Sequence, residues 1–260
     1  MTIFAPNDEA YEKPMLRKMM KDKNSIHEHV VKHIILEEIP AKAFETDTLV
    51  TIGNNTINLV KAYDYDYDAY IIFEGKMIDI ISTDLMASNG VIHETKTYIE
   101  PPNPPLDNLI ETLRETGNHE MFLSYFEQPF KELLETMDTN AWTILAPTDD
   151  AFESVDLPKS DMIDIIWRHI IPKIIPSNAL NENEIFVETL ETPNDISETP
   201  LGLKNIEGDI EINYKDNIIK SISVDTMASD GVIHTVDTLI LQSITTTTTT
   251  TTETTTTGNH

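Results

Sequence analysis

Three groups of side chains in this 260-residue sequence have the types and spacing to do chemistry. His27, His29 and His33 form HEHVVKH. On a helix His29 and His33 lie four apart and share a face, the geometry that two-histidine zinc sites use. We read the cluster instead as a partly exposed helix face, because the box around His33 recurs later in the chain without the other two. Tyr63-Asp64-Tyr65-Asp66-Tyr67-Asp68 alternates with period two, so a strand there would line up a row of carboxylates for calcium. It lacks the glycine and distal Glu of an EF-hand loop and reads as a strand edge or loop whose charges discourage edge pairing. His93 and His234 could be ligands or proton donors. We expect them to be imidazoles that hydrogen-bond nearby backbone and lock a hairpin, since a buried polar group needs a satisfied partner. Beyond these, no nucleophile with a base, phosphate loop or GxSxG or HExxH pattern is written in the sequence, and the chain reads as non-catalytic with no cofactor and no metal. Asn54-Asn55-Thr56 is an N-glycosylation sequon.

Composition narrows the possible partners. Eighteen basic and 45 acidic residues give a formal charge of −27. Binding to nucleic acid draws on Lys and Arg at phosphates, so such a polyanion is a poor nucleic-acid protein, and anionic lipid repels it too. Forty per cent apolar residues suffice for a packed core. Cysteine is absent, which removes disulfides, thiolate metal sites and Cys nucleophiles. No apolar run approaches the ~20 residues of a membrane helix. The opening MTIFAPNDEA has neither the basic nor the apolar region of a signal peptide.

The elements that carry these residues occur twice. TIFAPNDEAY at Thr2–Tyr11 returns as TILAPTDDAF at Thr143–Phe152, and DLMASNGVIHETKTYI at Asp84–Ile99 returns as DTMASDGVIHTVDTLI at Asp225–Ile240, both 141 positions later. His33 and His169 are 136 apart, so the units trade length internally. A period this long marks a duplicated domain rather than a solenoid. Each unit should open with a strand, continue through a short helix capped by Asn7 or Thr148, and carry a second helix. That second helix bears Ile26, Val30 and Ile34 in the first unit and Met162, Ile163, Ile166, Trp167 and Ile170, capped by Ser160, in the second. Strands are expected at Thr48–Ile52, Thr56–Val60, Tyr70–Phe73 and Met77–Ile81, then Ile185–Leu190, Ile210–Tyr214 and Ile218–Val224. Asn89-Gly90 and Asp230-Gly231 are the pairs that a type I′ hairpin turn prefers. Ahead of the second TILAP box, Leu106, Leu109, Ile110 and Leu113 have helical spacing and Gly117 suits a C-cap. Asn118 would cap a stretch with Met121, Phe122, Tyr125 and Phe126, and Phe130, Leu133, Leu134 and Met137 repeat the spacing after Pro129. Nothing equivalent precedes Thr2, so either Met1 is an internal start of a longer precursor, or apolar sheet surface of the first unit is left to be filled by the second unit or by another copy.

Together these boxes resemble the fasciclin domain: TILAPTDDAF, Arg168-His169-Ile170-Ile171-Pro172 and DTMASDGVIHTVDTLIL, answered in the first unit by TIFAPNDEAY, Lys32-His33-Ile34-Ile35 and DLMASNGVIHETKTYIEPP. The resemblance implies an α+β fold of two modules, each a twisted β-wedge of two small sheets covered by helices. The expected organisation is 1–101, a fasciclin-like domain lacking its N-terminal helices; 102–105, a stiff Pro-rich linker; 106–243, a complete domain; and 244–260, a disordered Thr-rich tail suited to a mucin-like stalk. The resemblance also implies an extracellular or cell-surface adhesion or matrix-binding module, with protein or glycan ligands and no catalysis. An acidic binder of cations or a mineral phase on the same scaffold is the alternative. In some members a Tyr-His pair carries cell binding. The histidines here are His33 and His169, while Lys32 and Arg168 replace the tyrosines, which makes Lys32, His33, Arg168 and His169 the candidate adhesion patch. Asn89, Gly90, His93, Asp230, Gly231 and His234 form the structural box of the hairpin.

Overall fold

The structure, a computed structural model, describes residues 1–11, 21–62, 69–134, 141–153, 155, 157–190, 200–215 and 217–241. These form two separate seven-stranded sheets, each flanked by few helices. The first sheet uses β1 (Thr2–Pro6), β2 (Ile34–Ile35), β3 (Asp47–Val50), β4 (Thr56–Lys61), β5 (Ala69–Phe73), β6 (Lys76–Ala87) and β7 (Gly90–Thr95), in the order β2-β1-β7-β6-β5-β4-β3. Helix α1 (Lys23–Val31) precedes β2. In the second unit α2 (Leu109–Thr116) and α3 (Glu120–Leu134) come before β8 (Trp142–Pro147), and α4 (Lys159–Arg168) before β9 (Ile170–Ile171). Then follow β10 (Ile185–Val187), β11 (Leu201–Ile206), β12 (Asp209–Tyr214), β13 (Asn217–Ala228) and β14 (Gly231–Val236), in the order β10-β11-β12-β13-β14-β8-β9.

Each sheet becomes a wedge because its twelve-residue strand bends. β6 pairs with β5 through Tyr70↔Asp79 to Phe73↔Lys76, slips register against β7 between Ile80 and Leu85, and resumes at Leu85↔Ile92. Asp84 takes φ 59 at the slip, and Asp225 takes φ 59 at the same place in β13. An extra residue on one strand sharpens the local twist, so one strand serves two small sheets. Alternation along β4 and β12 puts Ile57 and Leu59, or Ile210 and Ile212, inside. The opening strand closes the other end in parallel, Phe4 opposite His93 and Leu145 opposite His234.

The wedge interiors are apolar: Phe4, Ile35, Phe44, Ile71 and Ile78 in the first unit, Leu145, Ile171, Leu203, Ile212 and Val232 in the second. The second interior also takes in Val60 and Ile72 from the first sheet. There Asn178 Nδ2 lies 3.5 Å from Met77 Sδ, and a Cβ on Gly75 would stand 2.4 Å from the Ala228 carbonyl oxygen. A third cluster lies between α2–α4 and the outer face of β8 and β14, with Leu109, Leu113, Phe122, Phe126 and Phe130 over Ile144, Ala146 and Ile233.

Several local expectations give way to tertiary packing. α3 runs unbroken through Pro129. The missing amide costs about 3 kcal/mol in a helix interior. Against it, Phe122, Phe126 and Phe130 stack at centroid distances of 4.9 and 4.4 Å, and each buried ring contributes about 1.5–3 kcal/mol. Asn118 does not cap α3 with its side chain; the Asp149 carboxylate, accepting from the Met121 amide at 2.7 Å, supplies the cap. Ser160 lies inside α4, whose N-cap is Pro158, and Thr148 makes no side-chain cap. Asn7 does cap, accepting from the Ala10 amide, and Gly117 ends α2 at φ 65. Asn89-Gly90 and Asp230-Gly231 connect their strands without positive φ, so these are not type I′ turns. The positive-φ pairs sit in earlier hairpins: Glu74-Gly75 (48° and 79°) between β5 and β6, one before, and Glu207-Gly208 (57° and 102°) between β11 and β12, two before. Glycine at 90 and 231 answers close packing instead: a Cβ would stand 2.0 Å from the Met1 carbonyl oxygen and 2.4 Å from that of Trp142. Strand β11 has no counterpart among the strands expected from the sequence. The Tyr63–Asp68 run, the Ser243 boundary and the Thr tract lie outside the described residues.

Candidate functional site

The repeated boxes bring four histidines to equivalent places. Each uses both ring nitrogens on backbone. His33 Nδ1 donates to the His29 carbonyl at 2.9 Å, and its Nε2 accepts from the Ile99 amide at 2.9 Å. His169 repeats this with Ile165 and Ile240, at 2.8 and 3.1 Å. The tautomer is reversed in the hairpin histidines. His93 Nε2 donates to Ile39 at 2.8 Å while Nδ1 accepts from the Asp84 amide at 3.3 Å. His234 does the same with Ile175 and Asp225, at 2.9 and 3.2 Å. Two threonines complete the scheme: Thr2 Oγ1 donates to Glu37 and accepts from Ile39, and Thr143 Oγ1 does so with Lys173 and Ile175. These pairs tie the helix, the opening strand, the chain after it and the closing hairpin into one body.

Such rings are held neutral. A second proton would cost the accepted hydrogen bond and place a charge in apolar surroundings. Burial lowers His33 to about 4 and His169 to about 3, and pushes His93 and His234 down as well.

The candidate adhesion patch is mostly interior. His33, Arg168 and His169 are buried. The Arg168 guanidinium donates to the Ile240 carbonyl at 2.6 Å and lies 4.6 Å from the Tyr214 ring centroid. Lys32 is half-buried, its ammonium 5.8 Å from the Phe73 ring. A ligand approaching this box meets Lys32 first, and three of the four side chains are occupied in holding α1 or α4 on its sheet. Asp230 is likewise committed to the fold. Its carboxylate accepts from the Leu109 amide at 2.8 Å, the first amide of α2, whose N-cap Asn108 accepts from Glu111, while burial raises its pKa. His29 meets Tyr11 Oη at 3.0 Å and packs against Tyr98, so HEHVVKH does not converge as a metal site, and His27 is exposed. No group of three or more His, Cys, Asp or Glu fit for a metal occurs among the described residues. Asn54 is exposed in the turn between β3 and β4, accessible to a glycosylating enzyme.

Accessible relief lies just past Lys32–Ile35. A groove of about 460 Å³ lies beside β2 and β3, lined by Leu36, Val50 and Ile52 together with Glu37 and Asp47. Leu36 is 80% exposed and Val50 57%, high values for such side chains. No pattern in the sequence signals this groove, because alternation shows which face a residue takes and not whether the edge is covered. Among the described residues, no helix is long and apolar enough to cross a membrane.

The fasciclin domain model matches residues 1–101 and 117–242. Human periostin is 24% identical over 252 residues, covering 92% of this chain and 27% of that protein. Pig transforming growth factor-beta-induced protein ig-h3 is 20% identical over 256 residues, covering 92% of this chain and 33% of that protein. The chain thus spans about a quarter to a third of the length of these relatives. A FAS1 domain pair from the insect cell adhesion molecule fasciclin I aligns with a TM-score of 0.41 at 17% identity, over 93% of this chain and 88% of that one.

Proposed function

As the chain belongs to the fasciclin domain family, we propose that it is an extracellular or cell-surface adhesion module that binds protein or glycan ligands and has no catalytic activity. One observation carries the reading: the family match runs through both units, 1–101 and 117–242. The site geometry agrees with it, since His33, His93, His169 and His234 spend both ring nitrogens on backbone. We divide the chain into two modules, 1–101 and 106–243, joined through residues 102–105, and expect 244–260 to act as an extended stalk. Loops and edges on a rigid scaffold carry recognition. The contact surface is therefore the groove beside Lys32, where Leu36, Val50 and Ile52 receive apolar side chains and Glu37 and Asp47 attract a basic one.

Retention of the full chain on cells or matrix, with and without chelator, tests this. Retention should persist in chelator and fall in Leu36→Asp and Val50→Asp variants, both at exposed positions where folding is spared. Retention abolished by chelator would instead support the acidic cation- or mineral-binding alternative, which the −27 charge favours. Recovery of the native protein only from cytosol, unglycosylated at Asn54, would refute the adhesion reading.

A further inference from the structure

β2 and β3 stand at the two ends of the first sheet's strand order, and both border the groove beside Lys32. Every residue from Asp47 to Ile52 lines it, both faces of the pleat included, so the groove follows the edge of β3 rather than one face. That edge is open. The Thr51 amide donates to the Asn55 carbonyl at 2.9 Å, and antiparallel alternation then turns the backbone groups of Leu49 and Asp47 toward β4 as well. Thr48 and Val50 turn theirs the other way. Ile52, next in that series, shows the direction: its amide donates across to the Ile34 carbonyl of β2 at 2.9 Å. The Thr48 amide is taken by the Asp47 carboxylate at 2.8 Å. Among the described residues nothing pairs with the Val50 amide, the Val50 carbonyl or the Thr48 carbonyl.

The second unit is built to refuse a strand at the same place. Its Leu190 amide donates to the Ile170 carbonyl at 2.9 Å, the counterpart of the bond from Ile52 to Ile34. By that alignment Glu188 stands where Val50 does. By the alignment of His169 with His33, Pro172 and Lys173 stand where Leu36 and Glu37 do. Proline and charged side chains, lysine above all, are what sheet edges use to discourage a further strand. Lys173 and Glu188 are exposed although α2 and α3 are in place in that unit, so the helical cover of a unit does not reach this edge. The first unit has two bare aliphatic side chains and acid instead. Glu37 and Asp47 line the groove, and an adjoining hollow of about 140 Å³ is lined by both of them together with Glu38 and Glu45. None of these four carboxylates is in an ion pair among the described residues.

We propose that the open edge of β3 takes an extended segment of a partner protein as an added strand. The segment carries basic side chains for Glu37, Asp47 and the acidic hollow, and apolar ones for Leu36 and Val50. The proposal rests on the reading of this groove as the contact surface and adds how the partner is held: main-chain hydrogen bonds to Val50 and Thr48 give the affinity, and side chains choose the partner. A second copy of this chain is a poor occupant, since it brings the same carboxylates to the edge on a body of charge −27.

The probe is the labelled peptide Gly-Val-Arg-Val-Arg-Val-Gly, titrated into the full chain and followed by fluorescence anisotropy. Main-chain pairing tolerates side-chain variety, so an alternating basic and apolar sequence suffices. The expected result is saturable one-to-one binding that weakens as salt is raised, since the matched charges are exposed. Hydrogen exchange at the Val50 amide should slow at least about tenfold at saturation. Leu36→Pro combined with Glu37→Lys writes the second unit's residues into the first and should weaken binding at least about tenfold; Val50→Glu, which copies Glu188, should do the same. Thermal melting checks that both variants stay folded. The same peptide N-methylated at every residue between its glycines keeps its side chains, loses its amide donors and should not saturate. Absence of saturable binding by the unmethylated peptide would overturn the proposal. So would binding that survives N-methylation, binding that leaves Val50 exchange unchanged, or equal binding of a peptide with Glu in place of Arg. Sedimentation showing a dimer lost in Val50→Glu would overturn it too, since a second copy would then hold the edge. Matrix retention that still falls in Leu36→Asp after any of these results keeps the groove as the contact surface and removes only the added strand. Peptide binding as expected, with retention indifferent to Leu36→Asp, would keep the strand and remove the groove from adhesion.

Discussion

Replacing His234 by Phe isolates the worth of one hairpin lock. The ring is sealed from solvent, so Phe, a slightly larger flat ring, fills the site and removes both hydrogen bonds. The Ile175 carbonyl, buried, loses the donor at 2.9 Å, and the Asp225 amide, part-buried, loses the acceptor at 3.2 Å. An unpaired buried polar group costs about 1–3 kcal/mol, with the lower end fitting the more open Asp225 amide, so the loss should be roughly 2–4 kcal/mol. That is a large share of a typical domain stability of about 5–15 kcal/mol. Urea unfolding at pH 7 by tryptophan fluorescence is the assay, because both tryptophans, Trp142 and Trp167, belong to the second unit. His234→Gln retains one hydrogen bond at a time and should fall between the two. If His234→Phe unfolds within about 0.5 kcal/mol of the parent, the exchange of backbone groups through this ring is not what holds the hairpin, and the locking role of all four histidines falls with it.

Acid should weaken the fold before the carboxylates titrate. His33 and His169 are lowered to about 4 and about 3 from 6.5, so their contribution is complete above pH 6.5 and is lost as pH falls toward those values. The slope is about 1.4 kcal/mol per pH unit for each ring, and a melting temperature flat between pH 6.5 and 5 would contradict it. Gly231→Ala forces a Cβ to 2.4 Å from the Trp142 carbonyl oxygen and 2.9 Å from Leu109, so urea midpoints should report a loss of about 1–3 kcal/mol or more. Asp149→Ala removes the carboxylate cap on α3; a loss of about 0.5–2 kcal/mol is expected, with faster hydrogen exchange at the Met121 amide as its local signature.

Much of this protein is local and therefore written in the sequence. The period of two in Thr56–Val60 and Ile210–Tyr214 reports which side chains face a wedge interior, and the helical spacing of Leu109, Ile110 and Leu113 reports a one-sided helix. The repeat at 141 residues makes two equivalent units visible, and with them the equivalence of His93 and His234. What stays hidden depends on partners distant in the chain. Asp230 holds the first amide of a helix 121 residues earlier, and Asp149 caps one through an amide 28 residues earlier; no short window of sequence contains both ends of either bond. Gly90 and Gly231 carry the signature of a tight turn, yet it is the opening strand of each unit, passing within a Cβ's reach, that requires them. The adhesion box has the look of a surface patch, because Arg and His are polar. Tertiary structure puts Arg168, His33 and His169 inside, where unmet backbone amides and carbonyls of the chain's far end need partners. Residue type and period fix which face a side chain takes. Only the assembled fold decides whether that face meets water, another strand or a helix.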